Sequence, residues 1–357
     1  MSEAINAEEA FVGTVEPAGA DMLDEGKLAD WMSANVAGFE GPLHLTKFKG
    51  GQSNPTYKIA AQNGNYVLRR KPFGPLLPSA HAVDREYKVQ AGLHKAGFAV
   101  APQYGLCTDE SVVGSWFYVM GMVDGRTIWN GAMPDDAPAY RRATYEAMID
   151  TLAALHNTDV AAAGLEDFGK PGNYFGRQID RWTKQYKLAE TETIPEVERL
   201  IEWLPATMPE QTRTSVVHGD YRIDNMIYAQ DRPEVLAVLD WELSTLGDPL
   251  ADLTYVAMAW VTENGGRSGV ADLDRKALGI PELDEVVERY CAATQRTSVP
   301  DMNWYFAYNF FRLTGILQGI KKRVIDGTAS SSHAKEQSER VKPLAERAWE
   351  FAVKAGA

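Results

Sequence analysis

The sequence predicts an α+β molecule of two lobes, a strand-rich first third followed by a mainly helical remainder. Two observations carry that expectation. Short alternating apolar runs with turn residues between them crowd the first ~120 residues, and longer segments of helical period fill the rest. A length of 357 residues suits about two domains. With 45% apolar residues the chain can bury a substantial core.

Taken in order, residues 1–25 are acidic and Ala-rich without a sustained apolar period, which predicts a flexible tail. Leu28 to Asn35 reads as a short helix. Leu43 to Lys49, Thr56 to Ala60 and Tyr66 to Lys71 read as strands, the last two joined by an Asn63-Gly64 hairpin turn. A Pro-rich loop, Pro72 to Pro78, leads into a helix from His81 to Lys95. Val100 to Thr108 and Ser115 to Met122 complete a first lobe over 26–122. The second lobe, 123–357, has helical segments at Ala139–His156, Gly176–Ala189, Pro195–Leu204, Leu250–Thr262, Leu283–Thr294, Trp304–Ile325 and Glu336–Val353. Between them, Ser215 to Val217 and Val235 to Leu239 are short enough to be strands bracketing a loop.

Bulk properties narrow the function classes. A formal charge of −13 argues against nucleic acid as a partner, because phosphate affinity comes from clustered Lys and Arg. No apolar run approaches the roughly 20 residues that cross a bilayer, and the N-terminus lacks the basic start and apolar stretch of a signal peptide. A cytoplasmic protein without membrane insertion is the expectation. Cys107 and Cys291 are too few for a disulfide framework and read as buried thiols. His44, His81, His94 and His333 lack partners at metal-ligand spacing. His156 reads as a core or helix-capping residue.

The chemistry concentrates in Val217-His218-Gly219-Asp220-Tyr221-Arg222-Ile223-Asp224-Asn225, followed by Val238-Leu239-Asp240-Trp241-Glu242. An apolar strand delivers His218 and Asp220 to a loop, Asn225 comes next, and Asp240 closes a second strand. Phosphoryl transfer needs one carboxylate to take the proton of an attacking hydroxyl and oxygen ligands to hold Mg²⁺ across nucleotide phosphates. Asp or Asn at a strand end is often a turn residue, but the joint pattern is specific.

This segment resembles the catalytic region of the aminoglycoside phosphotransferase and choline kinase-like family, whose pattern is H-G-D-x-x-x-x-N followed by a strand-terminal Asp. The resemblance implies a bilobal protein-kinase-like fold: a small antiparallel-sheet N-lobe with one helix, and a larger, mainly helical C-lobe. It implies Asp220 as catalytic base, Asn225 and Asp240 as Mg²⁺ ligands, His218 as loop support, and ATP or GTP as co-substrate. Gly247-Asp248-Pro249 and Ala251-Asp252-Leu253 resemble the same family and would brace the loop, with Asp248 capping the next helix. Pro72 to His81 resembles the subgroup that includes the kinase-like domain fused to acyl-CoA dehydrogenases in animals, which implies hydroxylated acyl thioesters as acceptors.

On the nucleotide side, Gly50, Gly51, Gln52, Ser53 and Asn54 lie where this fold covers the phosphates, although an ordinary hairpin loop would have the same composition. Arg69 stands where protein kinases place a lysine, with Glu86 as its helix partner. Lys71 lies on the same strand face and is the alternative, and Arg70 reads as surface charge. Met120 and Met122 flank the hinge whose backbone would read the base. Tyr174, Arg177, Trp182 and Tyr186, and the aromatic run Trp304 to Phe311, are explained mostly by helix packing. Arg177, Arg181 and Arg312 are candidates to meet an anionic acceptor. The acceptor itself stays open among hydroxylated acyl thioesters, amino alcohols and aminoglycoside-like compounds. Because Arg69 departs from the lysine pattern, a non-catalytic nucleotide-binding module is the alternative. A protein kinase is disfavoured, since Asp240-Trp241-Glu242 replaces Asp-Phe-Gly. Ser215, His218 and Asp220 crowd one strand too closely for a hydrolase relay.

Overall fold

The computed structural model describes residues 12–49, 54–74, 81–328 and 334–357. Its first part is one antiparallel sheet of order β1-β2-β3-β4-β6-β5, built from Thr14–Val15, Leu43–Phe48, Thr56–Ala61, Gly64–Arg70, Phe117–Gly121 (β6) and Gln103–Cys107 (β5). Alternation along β4 sorts its side chains between the two faces of this sheet. Tyr66, Leu68 and Arg70 point to the face covered by the Glu25–Asn35 helix, where Leu28 and Met32 are buried with Tyr57, Phe117 and Val119. Val67 and Arg69 point to the opposite face, where Val83 begins the Val83–Lys95 helix.

Two expectations fail here for one reason. Beyond residue 11 the acidic N-terminus is packed rather than a tail: Thr14 and Val15 pair with Phe48 and Lys47, and Asp21 ion-pairs with Lys47 at 2.6 Å. Asp21 also lies 3.7 Å from Arg70, which is 1% exposed rather than a surface charge. Its guanidinium lies 3.8 Å from the Phe73 ring centroid, and its Nη2 donates to the Tyr57 hydroxyl at 3.1 Å.

The second part is helical around one large apolar core. The Met302–Ile325 helix runs through it, packed by Val341–Lys354 and Tyr174–Ala189, while Pro138–Asn157 packs on Leu283–Thr294. The expected Glu336–Val353 helix is two, Ala334–Glu339 and Val341–Lys354. Pro343 has no N–H and its ring clashes with the carbonyl four residues back, so the first helix stops at Glu339. The expected Leu250–Thr262 helix tightens to a 3₁₀ turn at Met258–Val261.

The strands of this part also differ from expectation. Ser215–Val217 (β7) pairs with Thr245–Gly247 (β10), and Val235–Val238 (β9) pairs with Met226–Tyr228 (β8). The two parts of the molecule join directly. Val238 N–H donates to Ala99 O at 2.8 Å, and Phe98 meets Trp241 edge to face. Among the described residues no helix is long and apolar enough to cross a membrane. Cys107 is buried, whereas Cys291 is only partly covered.

Candidate active site

Strand β7 carries His218 into the core, and the chain then turns at Gly219, whose φ is +85°. Glycine is required there twice over: a Cβ would be strained by that φ and would lie 2.8 Å from Leu243 O. His218 is fully buried. Its Nε2 donates to Leu239 O at 2.7 Å, and its Nδ1 accepts from Asp220 N–H at 3.1 Å. A carbonyl only accepts and an amide N–H only donates, so the ring is the neutral Nε2–H tautomer. His218 therefore supports the loop, as the resemblance implied.

Asp252 is the second brace. Its carboxylate accepts from His218 N–H at 2.6 Å, Gly219 N–H at 2.8 Å and His156 Nε2 at 3.3 Å. Burial alone would raise its pKa, but the His156 imidazole and the Gly219 N–H outweigh burial and hold the group below the usual carboxylate range. His156 is thus a buried core partner. Asp248 accepts from Leu250 N–H at 2.9 Å, the expected cap on the helix that carries Asp252. Arg312 completes the grip by donating to Gly219 O from between the rings of Tyr255 and Trp182.

Asp220 emerges from this frame into the cleft. Its Oδ2 accepts from Asn225 Nδ2 at 2.8 Å, and the same nitrogen lies 2.9 Å from its backbone oxygen. The Tyr255 hydroxyl lies near enough for the Asp220 charge to add to the burial that raises its pKa, and Arg222 Nε lies 3.9 Å from Oδ1. Arg222 pairs in turn with Asp224, whose pKa burial pushes up against that pairing. Leu239 N–H donates to Asn225 O at 2.8 Å, which puts Asn225 and Asp240 at adjoining ends of the β8–β9 ladder. Asp240 has a φ of +64°, rare for a non-glycine residue, and turns its carboxylate toward the sheet.

Arg69 crosses the cleft to meet it. Nη2 donates to Asp240 Oδ1 at 3.0 Å and Nε to Glu86 Oε2 at 2.7 Å. Glu86 also accepts from Asn54 Nδ2 at 2.6 Å and from the Tyr118 hydroxyl at 3.1 Å. Asn54 is fully buried, and its Oδ1 is taken by His81 Nδ1 at 2.9 Å. Its side chain therefore serves the Glu86 frame, and only its backbone is left for a ligand. Gly50, Gly51, Gln52 and Ser53 lie outside the described residues. Lys71 turns elsewhere, 3.9 Å from Asp84 and 4.0 Å from the Trp116 ring centroid. Met120 lies in β6 opposite Val67, and Met122 comes just after the strand with its N–H toward Asn65 O.

The donor set suits a hard cation. Asn225 spends its amide N–H groups on Asp220, which leaves Oδ1 as its remaining polar atom, and Asp240 offers a carboxylate beside it. Among the described residues no group of three His, Cys, Asp or Glu converges, so other ligands would come from nucleotide or water.

A cavity of about 870 Å³ is lined by Arg222 and Tyr255, both neighbours of Asp220, and by Ile223, Met148, Met258 and Phe310, while Asp220 itself does not line it. Nothing in the local sequence marked Arg222 or Tyr255 as lining a pocket. The arginines expected to meet an acceptor turn away from it. Arg177 donates to the carbonyls of Lys170 and Gly172, Arg181 lies over Trp182, and Arg312 is buried on Gly219. Tyr174, Trp182 and Tyr186 are buried packing residues, as expected.

A family model described as the phosphotransferase enzyme family matches residues 44–298. Acyl-CoA dehydrogenase family member 10 of Mus musculus is 45% identical over 318 residues, which are 88% of this chain and 30% of that protein. Acyl-CoA dehydrogenase family member 11 of Gallus gallus is 40% identical over 349 residues, 95% of this chain and 45% of that protein. The chain thus spans less than half the length of these curated relatives. Among solved structures, a candidate aminoglycoside phosphotransferase of Ralstonia eutropha JMP134 is 48% identical with a TM-score of 0.86, covering 93% of this chain and 99% of that one. A thermostable mutant of aminoglycoside phosphotransferase APH(4)-Ia, in ternary complex with ADP and hygromycin B, shares the fold at 14% identity and a TM-score of 0.58, covering 93% of this chain and 99% of its own.

Proposed function

The chain belongs to the phosphotransferase enzyme family, and from that premise we propose that it transfers the γ-phosphoryl group of ATP or GTP to a hydroxyl of a small molecule. The observation that carries this reading is the meeting of Asp220, Asn225 and Asp240 at one cleft, with Arg69 facing them and a ligand-sized cavity lined by the Asp220 neighbours Arg222 and Tyr255. The nucleotide lies between the sheet lobe, 26–122, and the helical lobe, 123–357. Its base runs along the Met120–Met122 backbone.

Asp220 takes the proton of the acceptor hydroxyl. Asn225 orients that carboxylate, and the buried braces on residues 218 and 219 fix the loop that carries it. Asn225 and Asp240 would hold Mg²⁺, which supplies charge neutralisation on the phosphates when bound. Arg69 keeps Glu86 and Asp240 in register and brings permanent positive charge to the phosphate side.

For the acceptor, a hydroxylated acyl thioester fits best. The matched relatives are named as acyl-CoA dehydrogenases, and the cavity has an apolar floor with arginines on its wall. Amino alcohols and aminoglycosides are cationic and would meet like charge there. A screen of nucleotide consumption over these three acceptor classes, with wild type and Asp220→Asn, tests the reading. Turnover on one class is expected, falling about 10²–10⁴-fold in the variant. Undiminished turnover in Asp220→Asn would remove that residue as the base.

A further inference from the structure

The cavity lined by Arg222 and Tyr255 carries its charge unevenly. Arg222, Arg267, Arg340 and Arg347 line it against Glu263 and Glu336, in a chain whose formal net charge is −13. Two of the arginines have close partners, Asp224 for Arg222 and Glu350 for Arg347. Arg267 approaches Glu336 at 3.7 Å. Arg340 has no ion pair within 4.0 Å among the described residues, and Glu336 acts on it only from farther away. Although Arg340 as a residue is exposed, its guanidinium is pushed below its ordinary pKa, first by burial and then by the like charge of Arg267.

The backbone is fixed at both positions. Arg267 O accepts from Gly131 N–H at 2.9 Å and Asn264 Nδ2 at 2.8 Å, and Arg267 N–H donates to Asn264 O at 2.7 Å. Asn264 is itself buried and also held by Asp272. Arg340 occupies the N-cap of the 14-residue Val341–Lys354 helix, without a side-chain cap. Asp, Asn, Ser or Thr is usual there, so the positive end of the helix dipole adds to the arginine field instead of being offset. Two guanidiniums lining one cavity repel each other, and Glu336, 3.7 Å from Arg267 and farther from Arg340, offsets that repulsion only in part.

We propose that Arg267 and Arg340 form an anion subsite for the acceptor. They grip a phosphate or carboxylate group at one end while the apolar wall at Met258 and Leu344 leads the rest of the molecule toward Asp220. This rests on the phosphotransferase reading above and deepens it by naming an acceptor that is anionic at the end away from its reacting hydroxyl. Arg267 and Arg340 thereby select the acceptor and take no part in the chemical step.

The test is calorimetric binding to the full chain with ADP and Mg²⁺ saturating the cleft. The probes are coenzyme A, a free hydroxy fatty acid, and uncharged pantetheine. Wild type is expected to bind one of the charged probes at least about tenfold more tightly than pantetheine. Arg340→Ser and Arg267→Ser should each remove most of that preference and leave pantetheine unchanged, while Arg340→Lys keeps part of it. The charged probe that shows the effect tells phosphate from carboxylate. Melting of each variant with ADP and Mg²⁺ confirms that the fold and the nucleotide site are intact. Equal binding of charged and uncharged probes, or a preference that survives both serine variants, overturns the subsite. If the arginine-dependent preference holds but no acceptor is phosphorylated, the subsite stands and the phosphotransfer reading fails.

Discussion

Asp220 and Arg69 face the same cleft, yet the chain holds them in different ways. The Asp220 loop is gripped through its backbone: Asp252 takes the N–H groups of His218 and Gly219, Arg312 takes the Gly219 carbonyl, and His218 ties the loop to Leu239. These braces are buried and do not depend on a ligand. The Arg69 side chain, by contrast, is shared between Glu86 and Asp240, and a cation at Asp240 would compete for the same carboxylate. The helical side is thus preorganised, while the sheet side would exchange one ionic partner if a nucleotide and a metal bound at Asp240.

The sharpest way to break that contrast is Asp252→Asn. An amide has one acceptor oxygen where the carboxylate serves three donors, so the fully buried network would lose about 3–5 kcal/mol of stability in chemical denaturation. A pH series refines this prediction. The folded-state pKa of Asp252 is depressed, so its contribution is fully present above the unfolded value of about 3.9 and is lost as pH falls through the lower folded value. Wild type and variant should therefore differ fully at neutral pH and converge only in stronger acid. A constant difference down to the acid limit would deny the carboxylate its bracing role.

A milder effect is expected on the sheet side. Arg69→Lys keeps the charge but loses the fork that spans Glu86 and Asp240, costing about 1.5–3 kcal/mol in thermal or chemical denaturation. Because Asp240 is freed, affinity for nucleotide with Mg²⁺ should stay within a few-fold of wild type by calorimetry. A collapse of that affinity would mean that Arg69 is itself the main phosphate ligand. Smallest of all, Tyr255→Phe removes a polar neighbour of Asp220 and leaves its hydrogen bond to Asn225 in place, so kcat/KM should fall by no more than the equivalent of about 0.5 kcal/mol with the fold unchanged.

The two regions also differ in how far the sequence disclosed them. His218, Asp220, Asn225 and Asp240 lie close enough in the chain for residue type and spacing to announce a common loop, and Asp252 was legible as a brace. The Arg69–Glu86 pair could be read because a strand and the helix after it set its geometry. What escaped depends on contacts distant in sequence. Asp21 orders the N-terminal segment through Lys47 and Arg70, and no local pattern in an acidic, Ala-rich stretch shows that. The three-residue strands Met226–Tyr228 and Thr245–Gly247 are too short for a period of two to register. Arg267 and Arg340 come from separate elements and share only a cavity wall, whereas Arg312, which was expected to face a ligand, lies on an apolar helix and is buried.

The central claim is that positions 220, 225 and 240 divide one task, with proton acceptance at the first and cation holding at the other two. Calorimetric titration of nucleotide with and without Mg²⁺ separates these roles. Asp240→Ala and Asn225→Ala should lose the gain in affinity that Mg²⁺ confers, while Asp220→Asn retains it. A gain that persists in both alanine variants, or vanishes only in Asp220→Asn, would contradict the assignment.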